Sequence, residues 1–570
     1  MVDVTIGIML TLGLIIGGTI IAISQHKEVI QYYSYNTENI KNSYIENTES
    51  EYYINNAQDL WEFANKVNNG NTFEGITVYL TTDINLECNQ NKQWIPIGAC
   101  YVEGGNNADD TTEKDPFAGT FEGNDHTISG LYIDSESNYV GLFGYNQGTI
   151  QNLKLKDSYI KSNKPYIGGI AGFNKGIIQN CHNYANIVTE LSGGGACGGI
   201  AGYSTSASIV TCSNKGKIEG KNGCVGGIIG FGFFTEVNNC YNEGVINSIG
   251  YSVGGIVGTC QSSWILNCYN LGEIKGCSDI GGIVGFIYKF SSITNCYNMG
   301  IISISSNSPN EEICIGGIIG RLSLALIDSY KVQNCYSVGK IELDVSNEET
   351  SIHAGNIIGE YIGGSVENCY YEKNGIEAIG KNKEDSTVNI TELDSVEMKS
   401  QKIVELLNGE ESIYCLDKIN INNGYPILEW QYVSFLRTNS NVVIDEENLI
   451  IKGIEPKMTG EVIRKILQIE TDIQIQDKNG NIESEDCIIC TGYKIKVEDN
   501  KTYILVVTGD CNGDGKSDIQ DIFAINKHRL NNGKLTNEYL LAGDVNEDGK
   551  TNVNDIFQIN KYRLGIITEL

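Results

Sequence analysis

The chain has 570 residues, enough for several domains, and its 71 Asp and Glu against 40 Lys and Arg give a formal net charge of −31. A surface this negative repels a phosphate backbone, which argues against a nucleic acid partner. The 66 glycines contrast with five histidines, which are scattered without ligand spacing and argue against a histidine-based zinc or nucleophile site.

An uncharged apolar run from Val4 to Ile23 lies near the start of the chain. Its 20 residues could cross a bilayer, and the small residues from Ala22 to Ser24 offer a cleavage site. We predict a signal peptide or a membrane anchor over residues 1–27 and a linker over 28–54, and therefore a secreted or cell-surface protein. One observation conflicts with this prediction, because Lys27 follows the run while no Lys or Arg precedes it.

Residues 55–138 are predicted to contain a helix and the first strands of a β-structure. Ala57 to Ala64 has the spacing of an amphipathic helix, with Asn56 as its N-cap. Strand and turn character follows over Thr77 to Leu86, Trp94 to Gly98 and Gly119 to Leu131.

Residues 139–380 are internally periodic. A glycine-rich word, two glycines or near equivalents followed by two apolar residues and a glycine, ends at Gly144, Gly172, Gly202, Gly230, Gly258, Gly285, Gly320 and Gly359. The successive spacings are 28, 30, 28, 28, 27, 35 and 39 residues. A repeat of about 28 residues is too short for a propeller blade and lacks a helical segment. We therefore predict a mainly β fold built on a parallel β-solenoid, with one coil per repeat.

A second word, Asn-Cys-Tyr-Asn or a close variant, supplies one cysteine per repeat. These cysteines are Cys181, Cys212, Cys240, Cys268, Cys296, Cys335 and Cys369. Equivalent side chains of a parallel solenoid stack at about 4.8 Å, whereas a disulfide needs Cβ atoms about 3.8 Å apart and facing each other. We therefore predict an interior column of free thiols. Disulfides stay open as the alternative, because 18 cysteines in an exported chain is an even number.

The two words, beginning with Val140-Gly-Leu-Phe-Gly144, resemble the GLUG repeats of large bacterial surface proteins. The helix and strands before them are similar to the lead-in of that family, so the resemblance covers roughly Asn55 to Trp430. It implies a fold and a surface setting, and it implies no reaction.

Two further segments follow the repeats. Residues 381–432 are predicted to close the solenoid, with a helix over Met398 to Leu407 and a strand over Asn422 to Trp430. Residues 433–507 are predicted to form a small α+β spacer module, in which strands surround a helix that begins near Thr459.

Parallel β-helices include polysaccharide-degrading enzymes, so a solenoid of this kind could carry a catalytic site. Hydrolysis of a glycoside needs two carboxyl groups about 5 to 9.5 Å apart. The columns beside the recurring Asn-x-Gly turn mix acids with bases and neutral residues, as on a solvated surface. The richest acidic cluster, Glu103, Asp109, Asp110, Glu113 and Asp115, lies in an insertion where we expect solvated residues. A calcium site or a catalytic pair is the alternative there. Cys487 and Cys490 have the spacing of a redox or metal pair, but they lie in an apolar, strand-like run and are predicted to pack in a core.

Two copies of a loop-and-helix unit, 34 positions apart, close the chain. Calcium takes six to eight oxygen ligands, and a 12-residue loop supplies them from positions 1, 3, 5, 7, 9 and 12, with glycine at position 6. The first loop offers Asp510, Asn512, Asp514, Lys516 through its carbonyl, Asp518 and Asp521. The second offers Asp544, Asn546, Asp548, Lys550 through its carbonyl, Asn552 and Asp555. We predict two Ca²⁺ sites, the first tighter, because it has four carboxylates against three.

Each loop precedes a helix, but no long helix stands before either loop, and Lys501 to Thr508 has strand character. With Asp at position 12, residues 508–570 therefore resemble a dockerin domain, the module by which bacterial surface and polysaccharide-degrading proteins bind cohesins. The resemblance implies a cohesin-bearing partner. It places the partner contacts at loop positions 10 and 11 and on the following helix, here Ile519, Gln520, Lys527, Val553, Asn554 and Lys561. A calcium-stiffened cap without a partner is the alternative.

The functional hypothesis is a non-catalytic, exported surface protein, whose solenoid binds or presents to a glycan or host ligand and whose C-terminus docks to a cohesin. One alternative is a polysaccharide-degrading enzyme of a cellulosome-like assembly, with a β-helix catalytic domain. A second alternative is a purely structural stalk.

Overall fold

The computed structural model describes residues 50–567, apart from 99–115, 136, 191–193, 222, 306–311, 323–329, 344–349, 384–387, 418–419, 439–440, 446–447, 468–472 and 497–500. Residues 435–438 are described by their backbone alone. The apolar run at Val4 to Ile23, the linker before residue 50 and the acidic cluster at 103–115 lie outside the described residues. Among those described, no helix combines the length and apolarity needed to cross a membrane. The described residues from Tyr52 onward belong to one compact unit.

Parallel strands stacked in register form the predicted β-solenoid. In the described residues, sheet 1 has 26 strands and sheets 2 and 3 have eight each. One coil runs from sheet 3 (Tyr166–Gly168) through two arms of sheet 1 (Ala171–Asn174, then Ile177–Asn183) to sheet 2 (Asn186–Thr189). The next coil repeats this order, and its strands pair in parallel with those of the first. The sequence prediction of fold class is confirmed.

The strands of sheet 1 are Glu51–Ile54, Thr77–Leu80, Ile84–Asn85, Thr120–Glu122, Thr127–Ser129, Phe143–Asn146, Thr149–Lys156, Ala171–Asn174, Ile177–Asn183, Ala201–Val210, Ser213–Asn214, Ile229–Asn238, Tyr241–Asn242, Val257–Gln261, Trp264–Leu266, Tyr269–Asn270, Val284–Ile287, Ser292–Thr294, Tyr297–Asn298, Ile319–Leu322, Lys331–Gln333, Tyr336–Ser337, Ile358–Tyr361, Ser365–Glu372, Ile379–Asn382 and Val388–Leu393. Sheet 2 comprises Tyr132–Ser135, Tyr159–Ser162, Asn186–Thr189, Ile218–Gly220, Ile246–Ser248, Ile274–Gly276, Ile302–Ile304 and Ile341–Glu342. Sheet 3 comprises Tyr139–Val140, Tyr166–Gly168, Ala196–Gly198, Cys224–Gly226, Ser252–Gly254, Asp279–Gly281, Glu312–Gly316 and Ser351–Gly355.

The glycine-rich word forms the corner between sheets 3 and 1. A Cβ on Gly227 would lie 2.1 Å from the carbonyl oxygen of Gly255 on the next coil. That space accepts no side chain, which explains why the word needs its glycines.

The second word turns the chain and fills the interior. Asn239 has a φ of 53°, a left-handed conformation that Asn tolerates better than most residues. The next residue, Cys240, points inward and is fully buried, and its Sγ accepts a hydrogen bond from the backbone N–H of Cys212 at 3.3 Å. Burial raises the pKa of the Cys240 thiol well above its usual value. The seven predicted column cysteines are buried free thiols, as predicted.

A helix, Ala57–Asn68, covers the first strands. The Asn56 side chain accepts a hydrogen bond from the N–H of Asp59 at 3.1 Å, which confirms the predicted N-cap. Its buried face packs into the solenoid core, with Phe63 among the rings of Phe73, Phe117 and Phe121.

Residues 397–431, the flank segment, pack along the side of the solenoid. It contains a 3₁₀ turn (Glu397–Lys399), a helix (Gln401–Asn408) and two antiparallel strands (Tyr414–Cys415 and Ile427–Leu428). A second helix, Glu429–Thr438, starts in this segment. The predicted strand over Asn422 to Trp430 is therefore shorter than expected and gives way to helix at Glu429.

The tyrosines of the Asn-Cys-Tyr-Asn word point out of the solenoid and explain why the flank segment packs there. The rings of Tyr241, Tyr269, Tyr297 and Tyr336 stack with centroids 4.9 to 5.1 Å apart. The hydroxyl of Tyr297 donates to Oε1 of Gln431 at 2.7 Å. The flank segment buries most of this apolar surface, which water would otherwise contact.

The α+β module, residues 441–507, has its own sheet and core. Its strands are Val443–Asp445, Ile450–Ile454, Gln474–Gln476, Ile482–Glu483, Lys494–Lys496 and Thr502–Val507. Its helix, Gly460–Ile466, is capped by the Thr459 hydroxyl, as predicted. The C-terminal helices Ile519–Arg529, Glu538–Ala542 and Val553–Arg563 follow, and Cys511, Ile525, Val545 and Ile559 form their core.

Candidate functional site

The first candidate loop folds around the carboxylate of Asp510, which is fully buried. Its Oδ1 accepts hydrogen bonds from the backbone N–H groups of Gly513 (2.8 Å) and Asp514 (2.9 Å). Its Oδ2 accepts from Gly515 (3.0 Å) and Thr491 (2.9 Å). Gly515 has a φ of 76°, the sharp turn expected at loop position 6. The buried carboxylate of Asp510 and the turn at Gly515 thus fix the backbone of this loop.

Asp521, at loop position 12, closes the same loop. Its Oδ1 accepts from the N–H groups of Cys511 (2.8 Å) and Asn512 (3.2 Å). Its Oδ2 accepts from the N–H of Asp518 (2.8 Å), which completes a capping box at the start of helix Ile519–Arg529. The helix start and the loop closure thus use one carboxylate.

The second loop repeats these contacts. Oδ2 of Asp544 accepts from the N–H of Gly549 at 2.8 Å, and Oδ1 of Asp555 accepts from the N–H of Val545 at 3.0 Å. Oδ2 of Asp555 accepts from the N–H of Asn552 at 2.7 Å. The remaining predicted ligands Asn546, Asp548 and Lys550 are exposed on this loop.

The first loop fits a calcium ion. Oδ1 of Asn512, at position 3, is buried without a hydrogen-bond partner. Burial raises the pKa of Asp521 to about 7 and also raises that of Asp510, as expected for carboxylates held in a dry loop. A cation at this place would satisfy the orphaned oxygen and offset the desolvation. In the part of the chain that the structure describes, no three His, Cys, Asp or Glu side chains converge as a metal cluster. A site here would therefore depend on amide and carbonyl oxygens as well as carboxylates.

The predicted partner contacts lie on the surface of the two loop-helix units. Ile519 is 49% exposed and its counterpart Val553 is 40% exposed. The other four predicted contacts, Gln520, Asn554, Lys527 and Lys561, are exposed as well.

Sequence analysis missed two residues on this surface. Phe523 is 59% exposed and Phe557 is 60% exposed, although their buried neighbours Ile525 and Ile559 form the core. Each Phe lies four residues after the exposed apolar residue that starts its helix, and this spacing on one face was the available signal. We define the docking stripes as Ile519, Phe523 and Lys527 on one helix and Val553, Phe557 and Lys561 on the other.

A cleft of about 490 Å³ lies on the solenoid near sheet 2. Its lining includes Tyr132, Tyr159 and Tyr184 together with Asp157 and Asn186. The rings of Tyr132 and Tyr159 stack at 5.6 Å, so each shields a face of the other. The cleft combines aromatic surface with hydrogen-bonding groups, a composition found in ligand sites.

A charged cluster occupies three coils of the solenoid. Nε of Arg321 lies 2.8 Å from Oδ1 of Asp279 and 3.2 Å from Oε2 of Glu360, while its Nη2 donates to Glu312 at 3.1 Å. Glu360 is nearly fully buried and also pairs with Lys383 at 2.6 Å. The cluster consists of mutually paired charges. The repeat columns beside the Asn-x-Gly turn could not reveal it, because its residues lie elsewhere on the coil.

Cys487 packs against the core of the α+β module, and Cys490 packs where the module meets the first loop. Cys490 is buried, and a Cβ on Gly515 would lie 3.0 Å from its Sγ. Burial raises the pKa of Cys487 to about 11. This placement agrees with the predicted packing role.

The comparisons with known proteins identify the C-terminal domain. Residues 508–563 match the family model of the dockerin type I domain, so the chain ends in a domain of that class. A stretch of 169 residues is 28% identical to Halomucin of Haloquadratum walsbyi (strain DSM 16790 / HBSQ001). It makes up 29% of this chain and 2% of Halomucin, so the chain spans a small part of that relative. An IgA1 protease structure aligns with 90% of this chain and 41% of its own, at 14% identity and a TM-score of 0.34.

Proposed function

We propose that this protein is a non-catalytic, exported surface protein that docks to a cohesin through residues 508–567, loaded with Ca²⁺ at two sites. The observation that carries the proposal is the pair of loop-helix units with matching internal hydrogen bonds, in the segment that matches the dockerin type I model. Calcium supplies the charge that holds each acidic loop closed, so docking should require it.

The docking stripes support this proposal by their chemistry. Each offers an exposed Phe beside an aliphatic residue and a Lys, and a buried aromatic anchor is a common source of interface affinity. Because Phe523 and Phe557 hold equivalent positions in the two units, either stripe can serve as the docking face.

The docking test compares full-length variants for binding to immobilised type I cohesins in calcium. Phe523→Ala and Phe557→Ala alone should each weaken binding by less than about tenfold, because the other stripe remains. The double variant should lose about 100-fold or more, as expected when an aromatic anchor of about 3 kcal/mol is removed. Lys534→Ala, on the exposed linker between the helices, is the matched control. A double variant that binds as well as the control would contradict the docking face.

We further propose that the solenoid binds a neutral glycan in the cleft near sheet 2. Tyr159, Tyr184 and Asn186 are the lining residues that support this, since sugars present both apolar faces and hydroxyls. Tyr184→Ala should abolish retention on a glycan array, with the exposed Tyr251→Ala as control. Equal retention of both variants on the array would show that the glycan does not bind in this cleft.

A further inference from the structure

The two candidate calcium loops differ in their surroundings, although the spacing of their ligand residues is the same. In the first loop, alternate residues Cys511, Gly513, Gly515 and Ser517 are all buried. In the second loop the corresponding Val545 is buried, but Glu547 and Gly549 are exposed and Thr551 is half-buried. Ile488, Cys490 and Thr491 of the α+β module cover the first loop, together with Tyr539 of the C-terminal helices.

Thr491 of the α+β module contacts the first loop most directly. Its backbone N–H donates to Oδ2 of Asp510 at 2.9 Å, and the residue is fully buried. Its hydroxyl accepts from the N–H of Val507 at 3.1 Å and lies 3.3 Å from the carbonyl oxygen of Val507, to which it can donate. Val507 ends the strand that leads into the loop. One residue therefore joins the loop carboxylate to the last strand of the module.

The counterpart carboxylate in the second loop has fewer donors. In the described residues, Asp544 accepts side-chain hydrogen bonds from the N–H groups of Asp548 (3.1 Å) and Gly549 (2.8 Å), both within its own loop. Thr491 thus gives Asp510 a donor from outside the loop, and this fixes the orientation of a carboxylate that must face the ion.

The packing between module and loop is tight. A Cβ on Gly513 would lie 3.0 Å from the carbonyl oxygen of Thr491. Gly492, at a φ of 91°, would place a Cβ 2.7 Å from the hydroxyl of Tyr539, on helix Glu538–Ala542. The N–H of Gly509 also donates to the carbonyl of Ala542 at 2.8 Å. Module, loop and helix are therefore closely fitted.

We propose that the α+β module is part of the first calcium site, with Thr491 as the positioning residue for Asp510. Calcium in the first loop then stabilises the module, and by linkage the module raises the calcium affinity of that loop by the same factor. The module is accordingly more than the spacer that the sequence suggested. This inference rests on the proposed calcium binding.

The test is hydrogen–deuterium exchange of the full-length protein in calcium and in chelator, read on peptides covering 489–496 and 502–507. Calcium should slow exchange in both peptides about tenfold or more in the wild type and in Asp544→Asn. It should have little effect on them in Asp510→Asn. Equal calcium protection in the two variants would overturn the inference.

Isothermal titration of the same samples separates the two proposals. If calcium binding releases or absorbs heat but does not protect the module peptides from exchange, this inference is overturned and the proposal of calcium binding stands. The absence of binding heat overturns both.

A second pair of variants tests the positioning role. Thr491→Val keeps the backbone N–H that Asp510 needs but removes both hydroxyl contacts to Val507. It should weaken one of the two calcium sites about fivefold, the size of effect expected for one lost buried hydrogen bond. Thr491→Ser keeps the hydroxyl and should restore affinity to within about twofold of the wild type. Two sites weakened equally in Thr491→Val would contradict a role confined to the first loop.

Discussion

At the scale of the residue, each position of the second repeat word has its own structural role. Asn242, the last Asn of one copy, is fully buried and donates to Oδ1 of Asn270 on the next coil at 2.8 Å. It accepts from Nδ2 of Asn214 on the preceding coil at 2.8 Å and from the N–H of Gly244 at 3.2 Å. This chain of amides satisfies the polar groups of a tight interior turn on every coil it crosses.

We expect Asn242→Ala to lower the free energy of unfolding by about 1–3 kcal/mol, because Asn270 and Asn214 each lose a buried partner. The measurement is the shift of the denaturation midpoint. Asn247→Ala is the control, since Asn247 is exposed on the same coil and should change stability by less than about 0.5 kcal/mol. Equal midpoints for the two variants would show that the amide column does not stabilise the fold.

The charged cluster predicts a dependence of stability on pH. Burial raises the pKa of Asp279 to about 7, and this outweighs the attraction of Arg321. A carboxyl whose pKa is higher in the folded protein destabilises the fold progressively as the pH rises from its ordinary value of 3.8 to about 7. Asp279→Asn should therefore melt at a higher temperature than the wild type at pH 8, with a smaller difference or a reversed one at pH 5.

The neighbouring Glu312 should behave in the opposite way. The hydrogen bond from Lys381 lowers the pKa of Glu312 to about 2, despite some desolvation. Its contribution to stability is present above its ordinary value of 4.5 and is lost as the pH falls through about 2. Glu312→Gln should thus melt lower than the wild type at pH 7. If both variants melted higher than the wild type at pH 7 to 8, or both melted lower, the assigned charges would be contradicted.

At the scale of the element, the apolar surfaces of the first coil and of the solenoid flank must be shielded from water by other elements. Repeat arrays require terminal units with a polar outer face, because an open end exposes apolar core and unpaired strand groups. Helix Ala57–Asn68 has this character, with Leu60, Phe63 and Val67 buried and its other face polar and exposed.

Phe63→Ala should cost about 3–5 kcal/mol, because it removes a ring surrounded by other aromatic rings of the core. Thermal unfolding followed by circular dichroism would measure this loss. Asn65→Ala, on the exposed face of the same helix, should leave the melting temperature nearly unchanged. A small effect of Phe63→Ala would mean that the helix is dispensable as a cover.

The elements that the sequence predicted are those whose information is local or periodic. The repeat words predicted the stacked coils and the thiol column, because equivalent residues recur at each coil. The spacing of Asn56 and Thr459 before apolar runs predicted two helix starts. Contacts between distant segments could not be predicted in this way. Gln431 contacts Tyr297 across 134 positions, and Thr491 contacts Asp510 across 19 positions that include two strands of the α+β module.

At the scale of the whole molecule, the proposal assigns attachment to the C-terminal unit and ligand presentation to the solenoid. The dockerin type I match covers 508–563, while the contacts of the first loop extend into the α+β module. The resemblance of residues 55–430 to GLUG repeats and the export of the chain stay predictions.

Calcium-dependent docking is the central claim, and the most direct measurement is the affinity of the full-length protein for a panel of type I cohesins in calcium and in chelator. We predict tight binding to at least one cohesin in calcium, and its loss both in chelator and in the Asp510→Ala, Asp544→Ala double variant. Binding that persists unchanged in chelator, or a folded, calcium-loaded protein that binds no cohesin of the panel, would contradict the account.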